Sequence, residues 1–198
     1  MYKIEETMLN TNRLENLSDG IFAIAMTLLV LNINIPDSSE TNKEVANILI
    51  NETHTFFIFG LSFIILAVFF ILHHKQFHFI EKTTKGHIWI NIIFLMLISL
   101  MPFTSSLVGD YSNDFTARTF FNINIFLLGF ILYLNWKYAS KHDLLKKGSI
   151  SEKEIIKKEK GCMVLPVLAV IAVGISVITP IFSPFVYLLS PIIKKFII

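Results

Sequence analysis

The chain reads as an all-α, polytopic membrane protein with six transmembrane helices and both termini on the cytoplasmic side. Three observations predict this. Hydrophobic residues make up 54% of the 198, and the mean hydropathy is +0.63, more apolar side-chain surface than a soluble core of this size can bury. Mostly apolar windows of bilayer-crossing length recur at 17–35, 55–74, 87–108, 119–138, 161–182 and 184–198. The basic residues are sorted as well: with six spans, every Lys and Arg except Lys43 and Arg118 falls on the inner side, as the retention of positive loops in the cytoplasm requires. One span more or fewer would carry Lys194 and Lys195 to the wrong side. No internal repeat is visible, and residues 1–198 are treated as a single membrane domain.

The first span, within RLENLSDGIFAIAMTLLVLNINIP at 13–36, begins in a polar turn and runs directly into an apolar helix. A cleaved secretion signal is a poor description of it, because the apolar run is long, carries Asp19, and has no small-residue cleavage site before Pro36. An ionised carboxylate costs on the order of 2.5 to 3.5 kcal/mol at mid-helix and less near the interface, so Asp19 requires a partner or water. On a helix, Ile24, Leu28 and Leu31 form an i, i+4, i+7 stripe with Thr27 at its border and Gly20 one turn earlier. Such a stripe can face lipid, protein or a pore; Ser18 and Asp19 at its inner end point to a hydrated vestibule where it begins.

The second span ends in LHHKQF, with His74 and His78 one turn apart. A metal pair is the weaker reading, since no H-E-x-x-H pattern or neighbouring carboxylate completes a ligand set. His73, His74 and His78 are instead expected to bond to Arg13 or Asp19 of the first span, or to titrate near neutral pH, with His73 and His74 the candidate pH sensors. In the later spans Asn91, Ser99, Asn122, Asn124, Asn135, Ser176 and Thr179 are expected to hydrogen-bond between helices, at about 0.6 kcal/mol each. Pro102 and Pro180 are expected to bend or end their helices. The inner loop KHDLLKKGSISEKEIIKKEKG, residues 141–161, is read either as a plain solvated linker or as a solvated, amphipathic helical hairpin touching anionic lipid head groups. Cys162, the one cysteine, excludes a disulfide within the chain and any thiolate cluster. Ser183, Pro184, Ser190 and Pro191 interrupt the last segment and mark it as short or partly re-entrant.

Function classes narrow accordingly. The net charge of +2 belongs to the inner loops and not to a nucleic-acid surface, and no nucleophile with its base, nor any metal set, supports an enzyme. Arg13, Leu17, Ser18, Asp19 and Gly20, followed by FAIAMTLLVL, resemble the signature first helix of the transmembrane protein 175 family, whose members are potassium-permeable channels. The chain departs from that pattern at Leu17, where phenylalanine is usual. LHHKQF, the span WINIIFLMLISLMPFTSSL and the six-helix length resemble prokaryotic members over essentially the whole chain.

The resemblance implies a homotetramer in the cell membrane whose four first helices line one central pore passing monovalent cations, K⁺ above all. It implies that Ile24, Leu28 and Leu31 are apolar constriction rings, that Thr27 is a hydroxyl layer beside the narrowest point, and that Arg13, Ser18, Asp19 and Gly20 form a structural and gating motif at the inner mouth. No resident cofactor is implied. Rings of branched aliphatic side chains gate by dewetting, and without a TVGYG-type carbonyl filter the selectivity is expected to be moderate. Asp37, Asp110 and Asp114 are read as loop residues able to concentrate cations at the outer mouth. The competing class is a proton- or cation-coupled secondary transporter using Asp19, which would call for repeats and an unwound helix at mid-membrane.

Overall fold

The computed structural model describes residues 9–33, 45–146, 148, 150–178, 185–187 and 189. A two-residue strand β1 (Leu9–Asn10) leads into α1 (Asn12–Leu28), which tightens into a 3-10 turn over Leu29–Asn32. A short helix α2 (Val45–Asn51) precedes α3 (Thr53–Phe77), β2 (Lys82–Thr83), α4 (Lys85–Asp110), α5 (Phe115–Lys141) and α6 (Glu152–Ile178). Among the described residues, α1 with its 3-10 turn, α3, α4, α5 and α6 are long and apolar enough to cross a membrane. They correspond to the first five expected spans.

The sixth expected span, 184–198, lies outside the described residues except for 185–187 and 189. Of these, Phe185 stacks on Phe57 with ring centroids 4.9 Å apart, and the Tyr187 hydroxyl donates to Asn122 Oδ1. Thr179 and Pro180 also fall outside the described residues.

Helix starts follow from local chemistry. Thr84 Oγ1 accepts from the His87 amide at 3.4 Å to begin α4, and Asp114 Oδ1 accepts from the Ala117 amide at 2.8 Å to begin α5. Ser151 and Glu154 form a capping box at α6: the Glu154 amide donates to Ser151 Oγ, while Glu154 Oε2 accepts from the Ser151 amide and hydroxyl, both at 2.9 Å. The expected hairpin over 141–161 is therefore corrected. Its second half is the start of the fifth span itself, because a capped run of Glu, Lys and Ile continues the helix without a break, and a hydropathy window does not register helical residues that are polar.

Pro102 and Pro166 both lie inside helices that continue past them, as neighbouring helices allow at membrane depth. Asn32 Nδ2 donates to the Pro102 carbonyl at 2.9 Å, tying the end of the first span to α4.

In the bundle, α4 packs on α1, α3 and α5, and α6 packs on α5 from the far side. The main core runs through Leu66, Phe69, Phe94, Ile98, Ile125 and Leu128. The α5–α6 contact is close enough to need a glycine: a Cβ on Gly129 would stand 2.4 Å from Pro166 Cγ and Cδ. A second, smaller apolar cluster of Leu14, Phe77, Ile80, Ala139 and Leu144 closes the lysine-rich end. There β1 pairs antiparallel with β2 (Leu9 with Thr83, Asn10 with Lys82), and Ile80 bridges Leu145. The start of α1 is thereby fastened to the loop between α3 and α4, which is itself joined to the loop between α5 and α6.

Candidate functional site

The first span has two unlike faces. Leu14, Ser18, Phe22, Ala25 and Leu29 recur at helical spacing and are buried, with Phe22 packed edge-on to Phe70 at 5.4 Å and tilted to Phe94 at 6.0 Å. Among the described residues, nothing covers the opposite face. Ile24 is 59% exposed, Leu28 41% and Leu31 70%, and Thr27 and Gly20 are exposed beside them. A Cβ built on Gly20 finds open space, so no contact among the described residues explains its small size. All the residues expected at the constriction thus share one uncovered strip, and three of them are large and apolar.

Thr27 adds a polar element to that strip. Its hydroxyl bonds back to the carbonyls of Ala23 and Ile24, at 3.0 and 2.9 Å. A hydroxyl has one hydrogen to give, so with it directed to the helix backbone the oxygen lone pairs are left as acceptors, the polarity that suits a cation.

The motif at the inner end divides between the two faces. Arg13 and Asp19 are exposed, and among the described residues neither is held in an ion pair. Ser18 turns inward, contrary to the expected vestibule: it is 1% exposed and donates to the Leu14 carbonyl at 2.8 Å. Asn91 Nδ2 donates to Ser18 Oγ at 3.5 Å, and Asn91 Oδ1 bonds His73 Nε2 at 2.9 Å. One buried polar chain therefore joins α1, α4 and α3.

For His73 the expected bond to Arg13 or Asp19 is replaced by this bond to Asn91. Its ring is sandwiched between Phe77 at 4.4 Å and Phe94 at 5.4 Å, because α3 turns position 73 toward the core. His74, one position on, is exposed and stacks on Phe70 at 6.2 Å.

Other polar positions divide by face in the same way. Asn124 Nδ2 donates to the Leu97 carbonyl at 3.3 Å, from α5 to α4, and Asn135 Nδ2 to Gln76 Oε1 at 3.5 Å, from α5 to α3. Ser99 and Ser176, expected to bond between helices, donate within their own helices to Met96 and Val173. Gln76 is the residue that sequence reasoning passed over: it is buried and donates to the Leu132 carbonyl at 3.1 Å and to Cys162 Sγ at 3.2 Å. The available signal was an uncharged amide inside an otherwise apolar span, in the LHHKQF stretch already singled out.

Residues 13–102 match the family described as endosomal/lysosomal potassium channel TMEM175. A potassium channel of Chamaesiphon minutus is 32% identical over 174 residues, 85% of each chain. The zebrafish endosomal/lysosomal proton channel TMEM175 is 24% identical across 93% of this chain, which spans 36% of that longer protein. Among solved structures, that of a lysosomal potassium-selective channel TMEM175 homolog from Chamaesiphon minutus superposes with a TM-score of 0.81 at 25% identity, covering 94% of this chain and 96% of the other.

Proposed function

Because this chain belongs to the TMEM175 family of ion channels, and not to a family of enzymes, we propose that it is a potassium-permeable, moderately selective cation channel of the cell membrane. In this reading four copies assemble with the uncovered faces of α1 around a common axis. The observation that carries it is the strip of Ile24, Thr27, Leu28 and Leu31, opposite a face that is fully packed on α3 and α4.

The proposed mechanism follows from that strip. Facing rings of Ile24 leave a bore too narrow and too apolar to hold water, and an ion cannot shed its hydration shell there unaided, so the resting pore is closed by dewetting. A small widening admits water and the ion with it. Thr27 oxygens, one turn outward, replace part of the lost hydration, and partial dehydration across a few such sites favours the more weakly hydrated K⁺ over Na⁺ by a moderate factor. Arg13 and Asp19 stand at the inner mouth, where Asp19 raises the local cation concentration.

A pH response carried by His73 would reach α1 by a defined route. A proton gained by His73 changes its bond to Asn91 and, through Asn91, the hold on Ser18. The titratable groups around that ring are Asp19 on α1, His74 beside it and His87 on α4. Replacing His73 and His74 with Gln is expected to flatten the pH profile of the current, and an unaltered profile removes both residues from sensing.

The carrier alternative has no supporting observation: the first span stays helical through the strip, α1 to Leu28 and a 3-10 turn over Leu29–Asn32, and Asp19 lies near its inner end. Planar-bilayer recording of the purified protein under K⁺ and Na⁺ gradients tests the channel reading. Currents are expected to reverse close to the K⁺ equilibrium potential; a flux that saturates at low concentration and is coupled to protons would instead mark a carrier.

A further inference from the structure

We propose that the lysine-rich end of the bundle binds the phosphate of an anionic phospholipid head group between Lys75 of α3 and Lys158 of α6, over a floor made by the rings of Phe79 and Trp136. The inference rests on the membrane-spanning, lysine-inside arrangement given above. Lys158 Nζ lies 4.3 Å from the Phe79 ring centroid and 5.8 Å from that of Trp136, a placement favoured by the negative faces of the rings. Lys75 stands four residues before Phe79, the ring on which Lys158 rests, at the same end of the bundle. Among the described residues neither ammonium is in an ion pair with a carboxylate. Two cations drawn together repel unless an anion lies between them.

The acid best placed to intervene, Glu154, is one turn before Lys158, and its Oε2 already accepts two bonds from Ser151 in the helix cap. Trp136 is held in place as well, its Nε1 donating to the Ile155 carbonyl at 3.2 Å, which locks α5 to the first turns of α6.

Length and the charged residues Glu152–Lys160 at the start of α6 favour a lipid as the occupant. The 27 residues of α6 span about 40 Å at 1.5 Å per residue, against a hydrocarbon thickness of roughly 30 Å, so its first two turns stand in the head-group layer. Trp89, exposed on the second turn of α4 just after Lys85, marks the same layer, where tryptophan is enriched. A phosphate bound between Lys75 and Lys158 would bridge α3 to α6 at the bundle's inner edge.

The test is native mass spectrometry of the full-length protein in detergent, titrated with phosphatidylglycerol or phosphatidylcholine. Lys75→Gln with Lys158→Gln is compared with the charge-matched control Lys82→Gln with Lys141→Gln. Phosphatidylglycerol is expected to be retained in preference to phosphatidylcholine, with apparent affinity falling about thirtyfold in the Lys75/Lys158 double variant, the order set by removing two lysines near an anionic group, and changing little in the control.

Equal losses in the two double variants would reduce the effect to diffuse surface charge and overturn the site. Equal retention of the two lipids would do the same, and full competition by millimolar inorganic phosphate would reassign the site to a soluble anion. Because retention is read without any current, a silent bilayer recording would remove the channel reading while leaving this result standing.

Discussion

At Ile24 and Thr27, single side chains carry separable parts of the proposed conduction. Ile24→Asn puts an amide on the exposed strip, so the constriction should hold water at rest; bilayer recording is expected to show a raised leak with weaker K⁺ over Na⁺ preference, and an unchanged current would mean that Ile24 faces away from the pore. Thr27→Ala deletes the acceptor oxygen without touching the packed face. It should lower the K⁺ over Na⁺ preference and leave assembly intact, whereas failure to fold would make Thr27 a packing residue. On the other face, Asn91→Ala strips partners from both His73 and Ser18. Leaving buried polar groups unpaired costs about 1–3 kcal/mol, so the melting temperature in detergent should fall by more than a lone membrane hydrogen bond at about 0.6 kcal/mol would explain. Arg118 poses the opposite case: it is 2% exposed, and among the described residues its Nε and Nη1 have no hydrogen-bond partner.

The helices were readable where hydrophobic periodicity or length carries the signal, and misread where polar residues continue a helix. Five expected spans correspond to α1, α3, α4, α5 and α6 because apolar windows of bilayer length leave the backbone no other way to satisfy its hydrogen bonds in lipid. The first turns of α6 were assigned to a separate helical hairpin because EKEIIKKEK is charged, yet, capped by Ser151 and Glu154 and built from good helix formers, they run on into the fifth span. The short α2 escaped notice too, being seven residues with none of them buried. Contact between elements was harder still to foresee. Nothing local to Gly129 announces that Pro166 of another helix sits against it. Gly129→Ala should force α5 and α6 apart, at a cost of about 1–3 kcal/mol typical of overpacking, and a melting temperature equal to the parent's would mean that the two helices have slack.

At the scale of the whole molecule, the exposed strip of α1 makes the single chain look incomplete. Apolar residues facing outward are ordinary on a membrane helix, so exposure alone does not distinguish lipid from a second copy; what favours a shared axis is Thr27 and Gly20 within the same strip. Leu31→Cys in a Cys162→Ser background should cross-link neighbouring copies under mild oxidation, giving dimer bands on denaturing gels, and a monomer band alone would turn that face toward lipid. Composition, apolar windows and the one-sided distribution of lysine were enough to establish a multi-pass helical membrane protein, and the residues from Arg13 to Leu31 were enough to indicate its family, because bilayer length, charge retention and a spaced polar motif are all properties of the linear chain. Tertiary structure alone decided that Ser18 turns into the bundle while Asp19 stays out, that His73 answers to Asn91, and that Gln76 ties three helices together. Those outcomes depend on which face of each helix meets which neighbour, and a periodicity records that a face exists without recording what stands opposite it.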